Sequence, residues 1–254
     1  MTPRVRMLLF LAGGTVLAGL LAWGLAGLPG FGRYPGPYGM TINAISVSER
    51  NSTDAVTAVN LDFRGFDTIG EEYILFCSVA AVAVLLRLQR QEAERQAADE
   101  VEGRDVPDRD DSLLVFGVAM ASALICFGLY IVAHGQLTPG GGFQGGAILM
   151  GGLLLVALAG GLPAFRRVMP TGLLDVLEGG GAGAFVVIGL ASLAVGAAFL
   201  QNVLPTGTRG EVASAGTLPL INAAIGVEVA AGLTLLAVEF WIQLTVVRRE
   251  GGGR

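Results

Sequence analysis

Six long apolar runs, separated by polar or Gly/Pro-rich breaks, set the pattern of this chain. They fall at about Met7–Leu28, Glu71–Arg87, Leu113–Ala133, Ala147–Leu162, Gly180–Leu204 and Pro219–Val247. A hydrocarbon core ~30 Å thick takes ~20 helical residues to cross, so each run predicts one spanning helix. The predicted fold class is all-α: a polytopic membrane protein of six transmembrane helices. The first run exceeds the ~7–15 apolar residues of a signal peptide and reads as helix one. Pro29–Gly39 reads as a loop and Met40–Gly70 as a mixed segment. Within the latter, Ala55–Leu61 is too short to cross and reads as interfacial or re-entrant.

One break is different in kind. Residues 91–111 hold nine acidic residues and three arginines, with Gly103 and Pro107. Like-charge runs of this sort stay solvated, so this is expected to be an acidic linker on the cytoplasmic side. It divides the chain into a two-helix module (1–90) and a four-helix module (112–248).

Composition sharpens the class. Of 254 residues 53% are hydrophobic and only 15% charged, against ~25% charged in soluble domains. All 16 positive charges are arginines, and the net charge of -5 is dominated by the linker. No basic patch with aromatics is present, which excludes nucleic acid as a partner. Arginine placement orients the helices. With the N-terminus inside, twelve arginines fall on inner segments, and only Arg33, Arg50, Arg64 and Arg209 on outer ones. This asymmetry matches the positive-inside rule and puts both termini in the cytoplasm, in a multi-pass protein of the cell membrane. Cys77 and Cys126 lie singly in apolar runs, as packing residues. No metal-ligand pattern, cofactor motif or catalytic constellation is present, so the chain does not read as an enzyme.

The break between the third and fourth runs is the most specific stretch: Thr138-Pro139-Gly140-Gly141-Gly142-Phe143-Gln144-Gly145-Gly146. Pro139 removes a backbone donor and turns Thr138 away from helical geometry. Gly145 and Gly146 allow close helix approach. The glycines spell G-x-G-x-x-G, yet no strand precedes them, so a dinucleotide site is not expected. The arginine count places this turn at the outer leaflet.

Ionisable groups at membrane depth cost about 2.5–3.5 kcal/mol each on insertion scales and are default functional candidates. The sixth run carries Glu228 and Glu239, eleven residues apart, hence on one helical stripe, roughly 16 Å apart. Gly232 and Gln243 share that stripe. Glu239 lies nearer the inner interface, where it can snorkel. For Glu228 two roles stand side by side: a proton or cation relay, or a carboxyl hydrogen-bonded to a neighbouring subunit. A second set comprises Asp62, Arg64, Asp67 and Glu71. Arg64 and Asp67 are spaced to pair on one turn. Thr68 and Glu71 form T-x-x-E, a capping box before the second run. His134, the one histidine, stands at the outer end of helix three, either as a helix-end group or as a titrating one.

Two of these stretches resemble the same family. The Pro-Gly-Gly-Gly-Phe turn, with the helices from about Ser112 to Val247, resembles the B subunit of Mrp/Mnh-type multisubunit sodium/proton antiporters. A related subunit occurs in membrane-bound, ion-pumping hydrogenases. Val59 to Glu71, with its Asp-Phe-Arg-Gly-Phe-Asp-Thr core, resembles the C-terminal segment of the antiporter A subunit. Gln136 stands where the family's turn usually carries histidine, and Glu228 stands where its last helix often carries an acid. The resemblance implies an accessory subunit working among other membrane subunits, some similar to the pumping subunits of respiratory complex I. Sodium ion and proton are then the transported species. The leading reading is an antiporter subunit that contributes to assembly and to the ion path. The rivals are a membrane-arm subunit of a hydrogenase or related oxidoreductase, and a spacer sealing the assembly in lipid.

Overall fold

The computed structural model describes residues 3–28, 30–33, 36–86 and 111–251, and it is helical, with no strand among them. All but the last residue of the expected acidic linker lies outside the described residues. Six described helices are long and apolar enough to cross a membrane, one for each apolar run. The chain divides into two compact units, Met1–Thr41 and Ile42–Arg254.

The first unit contains α1 (Pro3–Ala26). Its apolar side chains, Phe10 and Trp23 among them, are exposed. A helix apolar all round requires lipid or a partner on every side. The boundary between units falls inside α2 (Pro37–Arg50). This segment was expected to be mixed and is instead a regular helix.

In the second unit, Asp54 caps the one-turn α3 (Ala55–Ala58), its carboxylate accepting from Val56 N and Thr57 N. The chain then makes one wide, π-type turn (Val59–Phe63) and enters α4 (Gly65–Leu85). The short Ala55–Leu61 stretch is therefore this elbow. α4 begins six residues before the expected start at Glu71, so Thr68 and Glu71 lie inside the helix and form no capping box. The Thr68 hydroxyl donates instead to the Asn60 carbonyl, 2.7 Å away, tying the wide turn to the helix.

The four remaining helices are α5 (Asp111–Ala133), α6 (Gly142–Val168), α7 (Thr171–Ala194) and α8 (Leu218–Gly251). α6 is broken at Gly161 (φ 78°), just before Pro163. α7 starts nine residues earlier than expected, with Pro170 extended at its N-cap. Glycines 179–181 do not end it, because backbone groups at membrane depth must bond within their own helix. It also stops earlier, and residues 195–217 form a long connection to α8.

α8 is the core helix: α4, α6 and α7 all pack on it, and α5 packs on α6. Small residues set the approach distances. A Cβ on Gly142 would fall 2.5 Å from Ile225 Cβ, and one on Gly146 2.7 Å from Val229 Cβ. Phe185, Leu218, Ile221 and Ile225 fill the core at the turn end of α8, and Phe165, Leu174, Leu235 and Val238 fill it at the other.

Candidate ion-path site

Glu228 sits on α8 on the side facing α4 and α7, with 1% of its surface exposed. Its neighbour is a carboxyl not singled out from the sequence. Glu72 of α4 is equally buried, at 1%, and its carboxyl neighbours that of Glu228. None of the four oxygens has a hydrogen-bond partner. Two ionised carboxylates are acceptors only, and two buried like charges repel, so this arrangement favours a pair that does not ionise fully. No arginine is paired with either group, as the ion pairs among the described residues involve other acids.

A third acid follows on α7. Gly181 lets this helix press against α8, since a Cβ there would lie 2.8 Å from Glu228 Cβ and 2.7 Å from the Ala224 carbonyl. One turn before it, Glu178 is buried with an unpartnered Oε1. That oxygen faces Gly232, where a Cβ would stand 3.2 Å from it. The charged neighbours of Glu178 are Glu228 and Asp175; those of the half-buried Glu239 are Arg166 and Asp175. The acids therefore form a diagonal line. It runs from Glu72 and Glu228, through Glu178, toward Asp175, Glu239 and Arg166 at the far end of α8. The α8 stripe read from the sequence holds for Glu228, Gly232 and Glu239, while the side chain of Gln243 lies outside the described residues.

The second acidic set divides. Asp62, on the wide turn, forms an ion pair with Arg50 of α2 and accepts from Asn202 Nδ2 at 3.5 Å. Arg50 also lies 5.0 Å from the Phe63 ring centre, a cation–π contact. Burial pushes the Asp62 carboxyl above its ordinary range, and Arg50 and Asn202 oppose that shift. Arg64 pairs with Asp67, donating from Nε at 2.6 Å, but both side chains are half exposed. Glu71 is exposed on the neighbouring face of α4. Arg64, Asp67 and Glu71 are thus apart from the buried acids.

The glycine turn lies against the other end of α8. Thr138 N and Leu137 N both bond to the His134 carbonyl, and Gly140 and Gly141 take φ of 142° and 126°. L-residues rarely adopt these values. Gly142 N, opening α6, donates to Asn222 Oδ1 of α8 at 2.9 Å. The motif therefore docks a helix start onto α8 nearly two turns before Glu228. Phe143 is packed against the core, Gln144 is exposed, and Gly145 and Gly146 are the buried contact glycines. His134 stacks on Tyr130, ring centres 4.1 Å apart, and its Nδ1 lies 3.0 Å from the Tyr130 carbonyl. Gln136 is fully buried. Its Nε2 donates to the Val212 carbonyl at 2.6 Å, and its backbone carbonyl accepts from Ser52 Oγ and Asp54 N. Its role is to join the long connection to the α3 elbow.

Glu72 and Glu178 are not singled out by the sequence because both stand at the edges of apolar runs. Glu72 falls at the start of the second, and Glu178 just before the fifth. Signals for both are nevertheless present. Gly65, Thr68, Glu72 and Val79 are spaced for one face of α4, and Pro170-Thr171 marks the α7 start.

A helical bundle with six helices apolar enough to cross a membrane, and with two neighbouring buried acids that pair with no arginine among the described residues, is a multi-pass membrane protein with ionisable groups at depth. The family described as "Domain related to MnhB subunit of Na+/H+ antiporter" matches residues 113–235. The B subunit of the Na(+)/H(+) antiporter of Bacillus subtilis is 32% identical over 112 residues, 42% of this chain and 78% of that protein. A chain of the membrane-bound sulfane sulfur reductase, an archaeal respiratory membrane complex, superposes with a TM-score of 0.67 at 30% identity, covering 93% of this chain and 98% of that one. The Mrp complex from Dietzia sp. shares the fold, with a TM-score of 0.66 at 21% identity over 94% of this chain and 26% of that one. The chain belongs to the MnhB-related family of antiporter subunits.

Proposed function

We propose that this chain is a membrane subunit of a Mrp-type multisubunit cation/proton antiporter, with the Glu72–Glu228 pair on its ion path. The observation that carries the site is the buried pair itself. Two acids at ~3 kcal/mol each on insertion scales, with no arginine paired to them among the described residues, are a costly arrangement for helix packing alone. They suit a group that takes up and releases a proton. Glu178 stands one step further along, within electrostatic reach of Glu228. The chain is a transport subunit rather than an enzyme, and its partners are other membrane subunits of the same cell-membrane complex. Its two modules, 1–90 and 112–248, are joined through the linker at 91–111. By the arginine asymmetry, the glycine turn faces outward and both termini face the cytoplasm.

The test is deletion of this chain in its host. Sodium/proton exchange in everted vesicles is expected to fall to background and to return when the chain is supplied in trans. Exchange that survives deletion would overturn the reading.

A second reading has its own observation, the 98% coverage of a chain from a respiratory reductase complex. In that case the chain belongs to the membrane arm of an oxidoreductase, and the complex purified through a tag on it carries reductase activity. A complex that is an antiporter alone carries none.

A further inference from the structure

A cavity of about 50 Å³ lies beneath the glycine turn, where α4, α6 and α8 meet. Its lining includes Asn60, Thr68, Gly140, Gly142, Asn222 and Ile225. Val56, Asn60 and Gln144, which also border it, are exposed, so the cavity is within reach of the turn face. Thr68 and Ile225 are buried residues of its lining. Glu72 follows Thr68 by four residues on α4, and Glu228 follows Ile225 by three on α8. At 1.5 Å per residue these two lining residues are therefore about one helical turn from the acid pair, on both helices. Nothing in the ion-path reading alone requires such a space.

We propose that this cavity is a water-holding vestibule that connects the acid pair to the turn face. The chain then provides a half-channel for protons on that side, with Glu178 as the next group inward. This deepens the ion-path reading above and rests on it.

The chemistry of the lining selects water. One water needs roughly 10–15 Å³ of such space and two to four polar partners, so about three molecules fit. Asn222 and Asn60 supply amides, Thr57 and Thr68 supply hydroxyl lone pairs, and Asn222 Nδ2 is a buried donor with no partner. A bare cation fits poorly. No carboxylate lines the space, and the positive end of the α6 dipole starts at its edge. The proton balance is simple. A vestibule water hands one proton to the carboxylate of the pair and takes one from the next water toward the turn face, so bulk solvent supplies the proton and the waters are left unchanged. The pair passes one proton inward, toward Glu178.

The experiment uses the assembled complex in oriented vesicles, with Cys77 and Cys126 replaced by alanine. In Thr68→Cys, silver ion added from the turn face is expected to inhibit exchange about tenfold faster than in the cysteine-free parent, with no such effect from the other face. In a second arm, Thr68→Leu fills the space and removes its hydroxyl. Exchange is expected to drop about tenfold or more in an intact complex, while Thr68→Ser retains it. A Thr68→Cys complex untouched by silver from the turn face overturns the vestibule, as does an assembled Thr68→Leu complex at the parent rate. If Thr68→Leu fails to assemble, the silver arm decides. Should these negative results appear while Glu228→Gln still abolishes exchange, the acid pair stays on the path and the vestibule alone is wrong. Should Glu228→Gln also exchange normally, both readings fall.

Discussion

Two arginine–aspartate pairs outside the line of core acids show how burial decides what a charge is worth. Asp62 has a 6% exposed side chain and depends on Arg50, whereas Arg64 and Asp67 are about half exposed. Removing one partner of a buried pair costs ~3–5 kcal/mol, and of an exposed pair ~0–1. Arg50→Met is thus expected to lower the melting temperature of the purified complex markedly, with recovery in Arg50→Met/Asp62→Leu. Arg64→Ala should change it little. Equal effects of the two single substitutions would contradict this assignment. That Arg64 can reach Asp67 follows from helical spacing, a local fact legible in the sequence. Nothing in the sequence signals that Arg50, twelve residues before Asp62, folds back onto it, because that contact depends on the α3 elbow. Glu228 is legible as an acid at depth for the same local reason. Its partner Glu72 is not, since α4 and α8 meet only in the folded bundle.

At the scale of the helices, apolar length is readable for all six and their ends are not. Glu71 looks like a helix start because of the T-x-x-E spacing, but Asp54 and the wide turn have already begun the helical path. By apolarity the fifth run starts at Gly180, yet the helix begins at Thr171 and continues through glycines 179–181, because lipid offers the backbone no other partner. The glycine turn reads correctly as a tight-packing element, and its contacts yield a contrast within one helix. A side chain on Gly146 would run into Val229 and the Gly226 carbonyl, while Gly151 has open space. Overpacking costs ~1–3 kcal/mol for even small additions. Gly146→Leu, like Gly142→Leu against Ile225, is expected to remove this chain from the complex on native gels. Gly151→Ala should leave assembly unchanged. Full assembly with both leucine variants would defeat the packing account.

For the molecule as a whole, small residues and the glycine turn hold α4, α6 and α7 against α8, the helix that carries Glu228. Gly181 and Gly232 bring α7 and α8 together where Glu178 and Glu228 lie, and Asn222 anchors the turn to the same helix. On the proposal that Glu72 and Glu228 act as one proton-holding pair, their neutral variants are expected to be non-additive. Glu72→Gln, Glu228→Gln and the double substitution should reduce transport to a similar extent. The most direct measurement is sodium/proton exchange in vesicles bearing the intact Glu228→Gln complex, with Glu228→Asp alongside. A fall of about tenfold or more for Gln, with part of the rate retained by Asp, is the predicted result. Exchange at the wild-type rate in Glu228→Gln would contradict it and leave the carboxyl pair a packing element.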